Sequence, residues 1–104
     1  MIKVAMVDDH ILLRSGLAAV INGFGDFNII SEADNGKQFT EKLDKNNLPD
    51  VVLLDITMPE MDGFETAKWL KENHSGIRIL VLSMMDDDSS IIKMLKFGAR
   101  GYLL

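Results

Sequence analysis

From one end of the chain to the other, short apolar runs alternate with stretches whose apolar residues recur every three to four positions. The runs predict strands at residues 3–7, 28–32, 51–55, 77–83 and 100–104. Val51–Leu54 and Ile79–Leu82 are apolar without alternation, as in central strands covered on both faces, whereas residues 28–32 are mixed and suit an edge. Between the strands the helical period takes over. Leu13, Leu17, Val20, Ile21 and Phe24 form a core stripe, with Gly25 placed to end that helix and Gly16 to allow close packing on the sheet. Phe39 and Leu43 make a weaker second helix, capped by Asp34 or Asn35. The third opens with Asp62 and Glu65 in capping-box spacing and buries Phe64, Ala67 and Leu70. The fourth starts in Asp86-Asp87-Asp88-Ser89, carries Ile91, Ile92 and Leu95 inward, and closes at Gly98. Five strands alternating with four helices are the pattern of βαβ units around a parallel sheet.

Three aspartates sit where apolar strands end. Asp8 and Asp9 follow Val4–Val7, and Asp55 follows Val51–Leu54. If these strands are parallel neighbours, their carboxylates converge at the C-terminal edge of the sheet, where open α/β sheets bind ligands. Converging like charges are costly unless protons or a cation relieve them. The relief this predicts is Mg²⁺, a hard ion that takes a few carboxylates, waters and phosphate oxygens. Asp55 leads into a loop punctuated by Pro59 and Gly63, open to solvent beside the metal. There it would be a suitable nucleophile for phosphoryl transfer. Asp8 and Asp9 would hold the ion, with the Thr57 carbonyl as a third protein ligand. A lone Asp after a strand is as often a capping acid; the adjacent pair on the first strand shifts the balance.

Composition narrows the class. At 104 residues the chain predicts one domain, 1–104, and a net charge of −5 disfavours direct contact with nucleic acid or an anionic membrane. No cysteine is present, which excludes disulfides and thiolate metal sites. No signal peptide or span-length apolar run occurs, and a cytoplasmic location is expected.

With these residues in place the chain resembles a bacterial response-regulator receiver domain. Val7-Asp8-Asp9-His10, the run from Leu53 through Asp55 to Gly63, and Gly98-Ala99-Arg100-Gly101-Tyr102-Leu103-Leu104 carry the likeness, each at its expected strand. It is most similar to receivers that precede a LuxR-type helix-turn-helix. The resemblance implies a flavodoxin-like, doubly wound sheet of order 2-1-3-4-5 in a two-component system. It implies that Asp55 accepts a phosphoryl group from the phosphohistidine of a sensor histidine kinase. Asp9, Asp55 and the Thr57 carbonyl would ligate Mg²⁺ directly, and Asp8 mainly through water. Ser83 matches the switch hydroxyl and Tyr102 the switch aromatic. The output would be a C-terminal DNA-binding domain. The family's strand-five lysine would fall immediately after Leu104, so the chain is expected to be cut before that lysine and the fifth helix.

Other readings are weighed beside this one. A P-loop ATPase needs a Gly-rich Lys-Ser/Thr loop, and the sequence has none. A Mg²⁺-dependent aspartyl phosphatase usually carries Asp-x-Asp, but Asp8 and Asp9 are adjacent. A pseudo-receiver, an interaction module without phosphorylation, stays open for a chain lacking the lysine. His10 reads as a neighbour of the acids more readily than as a ligand, since imidazole suits softer ions than Mg²⁺. His74 reads as a helix-end residue, and Trp69 and the methionines as packing. Without a fifth helix, one face of strands three to five should present apolar residues to water. A homodimer is therefore expected, and in its bolder form it exchanges an element through a hinge at residues 84–88.

Overall fold

The computed structural model describes residues 1–82 and 88–103. The order is β1 (Ile2–Val7), α1 (Ile11–Asn22), β2 (Phe27–Ala33), α2 (Gly36–Lys42), β3 (Val51–Leu54), α3 (Gly63–Asn73), β4 (Arg78–Leu82), α4 (Asp88–Lys96) and β5 (Ala99–Leu103). The strands form one parallel sheet of order β2-β1-β3-β4-β5. The expected α/β architecture and strand order are thus present, with the mixed strand β2 at an edge. Val7 pairs with Leu54, Leu54 with Val81, and Val81 with Tyr102, so one row of residues runs across four strands. The chain leaves β1 and β3 just beyond that row, and this brings Asp8 and Asp55 to one edge.

The two faces of the sheet differ. On one, Val7, Val52, Leu54, Ile79 and Val81 are fully buried with Phe39 of α2, Ala67 and Leu70 of α3 and Met94 of α4. On the other, α1 is the one helix among the described residues. Here Val51, Leu53, Leu80 and Leu82 are only half-buried, so β3 and β4 are not covered equally on both sides. Leu17, Ile21, Phe24, Leu53, Leu80 and Leu82 line an open apolar groove of about 450 Å³ on this side.

This groove explains where the helical stripes depart from expectation. On α1, Leu13 and Val20 are more than half exposed, as is Phe24 just past its end, Leu17 and Ile21 are half-buried, and the residues fully inside are Arg14 and Ala18. Gly16 has open space around its Cβ position and makes no close approach to the sheet. The helix ends at Asn22, three residues before Gly25, where Gly23 N–H bonds to the Ala19 and Val20 carbonyls. On α4 the inward residues are Ser90 and Met94, while Ile92 and Leu95 are about half exposed. A stripe drawn through the branched aliphatics misses Met94, which fills core space as well as Leu does. Gly98 closes α4 at φ +97°, a left-handed conformation that favours glycine.

The remaining ends follow local chemistry. Asn35, not Asp34, caps α2 by accepting from Gln38 N–H, and Leu43 lies just past that helix against the core. Asp62 and Glu65 close a capping box on α3. Trp69 packs on the core and on the His74 ring, 5.5 Å away. Among the described residues no helix is long and apolar enough to cross a membrane.

Candidate functional site

The edge of β1 and β3 is built from backbone outward. Asp55 N–H donates to the Val7 carbonyl at 2.9 Å and Asp8 N–H to the Ala33 carbonyl at 3.0 Å, so three strands fix where these two acids begin. Ile56 N–H donates to Asp55 Oδ1 at 2.8 Å, orienting the carboxylate and leaving Oδ2 for other partners. Gly63 N–H donates to the Ile56 carbonyl at 2.7 Å. A Cβ at Gly63 would run into the Asp55 and Ile56 backbone, so only glycine lets the start of α3 close on the loop that follows Asp55. Glu60 turns that loop at φ +68°, where Met61 N–H reaches back to the Pro59 carbonyl.

Four side chains converge. The Asp8 and Asp55 side chains are only 10% and 11% exposed, Asp9 35%, and His10 67%. His10 Nδ1 lies 3.0 Å from Asp8 Oδ1, 3.3 Å from Asp9 Oδ1 and 3.9 Å from Asp55 Oδ2. One donor atom from each of the four falls within 4.8 Å of the others. Burial, and then the charge of Asp8, raise the Asp55 carboxyl to about 6. The Asp9 charge adds to this, while the Ile56 hydrogen bond and His10 pull the other way. The hydrogen bond to Asp8, followed by the charges of Asp8 and Asp9, raises His10 above its usual value. The acids thus carry more negative charge than the site can compensate. Their donor set, two buried carboxylates and one half-open one, fits Mg²⁺, which keeps several positions for water and phosphate oxygen.

Asp8, Asp9 and Asp55 are therefore brought together. Thr57 lies two residues beyond Asp55 in the same loop and is exposed. Tyr102 sits half-buried on β5, across β4 from the site, and packs against the core. Ser83 lies outside the described residues, as does the hinge expected at residues 84–88 except for Asp88, the first residue of α4.

Two residues were not given their role by sequence reasoning. His10 belongs to the cluster, and its signal was adjacency to the acidic pair. Arg14 is buried beneath the β1–α1 turn. Its Nη1 donates to the Asp8 carbonyl at 2.7 Å, the Ala33 carbonyl at 2.9 Å and Asp34 Oδ1 at 2.6 Å, and its Nε to Glu32 at 3.2 Å. The signal was a charged residue four positions before Ala18, on the buried side of the helix.

Residues 4–104 match the model of the response regulator receiver domain. The chain belongs to that family. It is 37% identical over 103 residues to the transcriptional regulatory protein DegU of Brevibacillus brevis, covering 99% of this chain and 43% of DegU. It is 39% identical over 101 residues to the nitrate/nitrite response regulator NarL of Escherichia coli K12, covering 97% of this chain and 46% of NarL. The chain therefore spans under half the length of these relatives. The signal receiver domain of NarL from Mycobacterium tuberculosis superposes with a TM-score of 0.90 at 37% identity, over 99% of this chain and 82% of that one. A CheX–CheY–BeF3–Mg complex from Borrelia burgdorferi matches with a TM-score of 0.89 at 30% identity, over 99% and 77%. The domain is a signalling module of the response-regulator type rather than a conventional enzyme.

Proposed function

We propose that the domain is a Mg²⁺-dependent phosphoacceptor switch, with Asp55 accepting a phosphoryl group from the phosphohistidine of a sensor histidine kinase. The observation that carries this is the convergence of Asp8 and Asp9 on a buried Asp55 whose Oδ2 is left free of the backbone. Asp55 Oδ2 forms the new P–O bond as the N–P bond of the phosphohistidine breaks, and the departing imidazole nitrogen keeps the electron pair. At pH 7 a carboxyl with a value near 6 is roughly nine-tenths ionised, so the nucleophile is available. Asp8, Asp9, Asp55 and the Thr57 carbonyl are the ligands assigned to Mg²⁺. When bound, the ion neutralises charge on the transferring phosphoryl oxygens. Asp55 is held in place by the Val7 and Ile56 backbone, so no reorganisation is needed to present it.

Ser83 is assigned as the hydroxyl that turns toward the phosphoryl oxygen and Tyr102 as the aromatic that follows it. The position of Tyr102 on β5, in the row shared with Val81 and Leu54, supports a path from the site to that end of the sheet. A C-terminal DNA-binding output is proposed from the names and greater length of the relatives, with the domain itself acting in the cytoplasm. The apolar groove beside α1 supports a homodimer of this 104-residue chain. Sedimentation at tens of micromolar tests that point, and a monomer would remove it.

The main test is chemical. Acetyl phosphate and Mg²⁺ should label Asp55 by mass spectrometry in a protein extended past Leu104, and Asp55→Asn should abolish the label. Label on Asp8 or Asp9 instead would overturn the assignment. A second reading, an interaction module that keeps the fold without phosphorylation, predicts no label in either form.

A further inference from the structure

We propose that the opposite, N-terminal edge of the sheet carries a second binding site, a pocket for a small organic carboxylate held between Arg78 and Lys3. The inference goes beyond the phosphoacceptor reading and uses none of the residues assigned there.

Shape is the first argument. An open pocket of about 760 Å³ lies where β1, β3 and β4 begin, at the far end of the sheet from Asp55. That volume suits a small organic molecule. Its rim is tied across three strands. Asp50 N–H donates to the Lys3 carbonyl at 2.7 Å, Lys3 N–H to Asp50 Oδ2 at 2.8 Å, and Arg78 N–H to the Asp50 carbonyl at 3.1 Å. The backbone around the pocket is thus set without a ligand, and little ordering is needed on binding.

Charge is the second argument. Lys3 and Arg78 both line the pocket, and neither head group pairs with a carboxylate among the described residues. The Lys3 ammonium donates to the Asn47 side-chain oxygen, at 3.3 Å. Asp50 is the one acid in the lining, and its Oδ2 takes the Lys3 backbone N–H rather than either cation. Two cations therefore face one acid, in a chain whose net charge is −5. A guanidinium is a planar fork that meets a carboxylate with two parallel hydrogen bonds, and an ammonium adds a point charge.

The rest of the lining decides what the anion is attached to. Ile77 and Pro49 are buried, Leu48 and Val51 are half-buried, and Ile2 stands 40% exposed. His74 closes one side, its ring against Trp69 at 5.5 Å. Inorganic phosphate or acetate would satisfy the cations and leave these apolar groups in water. An aryl or short alkyl carboxylate covers both, with its charge at Arg78 and Lys3 and its body on Ile77, Leu48 and His74. Because the pocket is open to solvent, the dissociation constant expected is on the order of 0.1–1 mM.

The test titrates phenylbutyrate into the 104-residue chain, read by NMR amide shifts and by the fluorescence of Trp69, its single tryptophan. Shifts should centre on Lys3, Asp50, Ile77 and Arg78. Uncharged phenylbutyramide, and acetate with its charge and almost no body, should each bind at least about tenfold more weakly. Arg78→Gln and Lys3→Gln should each weaken the acid about five- to tenfold and leave the amide unchanged. Arg78 is exposed and its structural hydrogen bond comes from the backbone, so the melting temperature of Arg78→Gln should hold. Arg78→Lys keeps the charge without the fork and should bind the acid with intermediate affinity. Equal binding of acid and amide would mean apolar contact alone and overturns the inference, as does acetate binding as tightly as the acid. Unchanged affinity in the Arg78 and Lys3 variants overturns it too. So does the absence of shifts at this edge at about 10 mM acid, well above the expected constant.

Discussion

Two groups of charge sit within one turn of each other at the end of β1, and they are built on opposite principles. Around Arg14, one buried cation meets Asp34, Glu32 and two backbone carbonyls, and each nitrogen used has a near partner. Hydrogen bonds from Arg14 and then Gln38 hold the Asp34 carboxyl below its usual range. Around Asp55, three acids face one exposed imidazole, and the Asp55 carboxyl moves the other way, up to about 6. The first group is closed and serves structure: it pins the acidic turn to β2. Among the described residues the second sets three acids against one imidazole, and that excess of negative charge is what a cation can relieve.

The largest effect that would break this contrast comes from the closed group. Arg14→Met should destabilise the fold by about 2–4 kcal/mol, because it removes the buried donor to the Asp8 carbonyl and one of the two donors to the Ala33 carbonyl, and leaves Asp34 without its cation. Urea unfolding measures it, and Mg²⁺ should not restore the loss. A cost below about 0.5 kcal/mol would mean water replaces the guanidinium freely and that Arg14 pins nothing.

Removing charge from the open group should do the reverse. Asp55→Asn keeps an oxygen for Ile56 N–H while relieving repulsion from Asp8 and Asp9. After allowance for solvent screening, the metal-free protein should gain about 1 kcal/mol, or roughly 5 °C in melting temperature. The same variant should lose most of the stabilisation that Mg²⁺ confers on the parent. A destabilised Asp55→Asn, or one still stabilised by Mg²⁺ as the parent is, would show the site is not over-charged.

Much of this contrast was legible before the fold was known. The acids at strand ends and the capping box at Asp62 are local signals, and short apolar runs specify parallel strands strongly, whereas the strand order came from the family resemblance. The stripes on α1 and α4 were harder to read. Periodicity gives a helix an apolar face without saying whether anything covers it, so Leu13 and Phe24 were expected inside and stand largely exposed. Arg14 went unread because a buried arginine depends on carbonyls from β1 and β2, partners that no single stretch of sequence displays. His10 needed distances: adjacency to Asp9 does not say that Nδ1 also comes within 3.9 Å of Asp55.

The pH dependence sharpens the comparison, because the two groups respond in opposite directions. Asp55 is raised in the fold, so its contribution is complete below its unfolded value near 3.8 and is lost as pH climbs through about 6. His10 is also raised, so its contribution is complete below 6.5 and is lost as pH passes its folded value. Asp34 is lowered, so its contribution is present above 3.8 and is lost as pH falls through its folded value. Metal-free protein should therefore be most stable near about pH 4, where Asp55 is still protonated and Asp34 is ionised, and weaken toward pH 8. Saturating Mg²⁺ should flatten that slope, since the cation takes over the role of the bound protons. Melting curves across this range settle it, and a metal-free protein equally stable at pH 5 and pH 8 would contradict the picture of Asp55.

The smallest effect separates the members of the closed group. Glu32 meets Arg14 through Nε at 3.2 Å and its side chain is 38% exposed, whereas the two carbonyls that Arg14 caps lie beneath it. An ion pair so open to water is largely screened, so Glu32→Gln should cost about 0.5 kcal/mol or less, falling toward zero in high salt. The Arg14→Met loss should depend less on salt, because much of it comes from the Asp8 carbonyl left without its buried donor rather than from charge. Unfolding both variants at low and high ionic strength separates the two origins. If Glu32→Gln cost as much as Arg14→Met, the charge pairs rather than the carbonyls would be holding the acidic turn. The guanidinium would then be anchored from its exposed side.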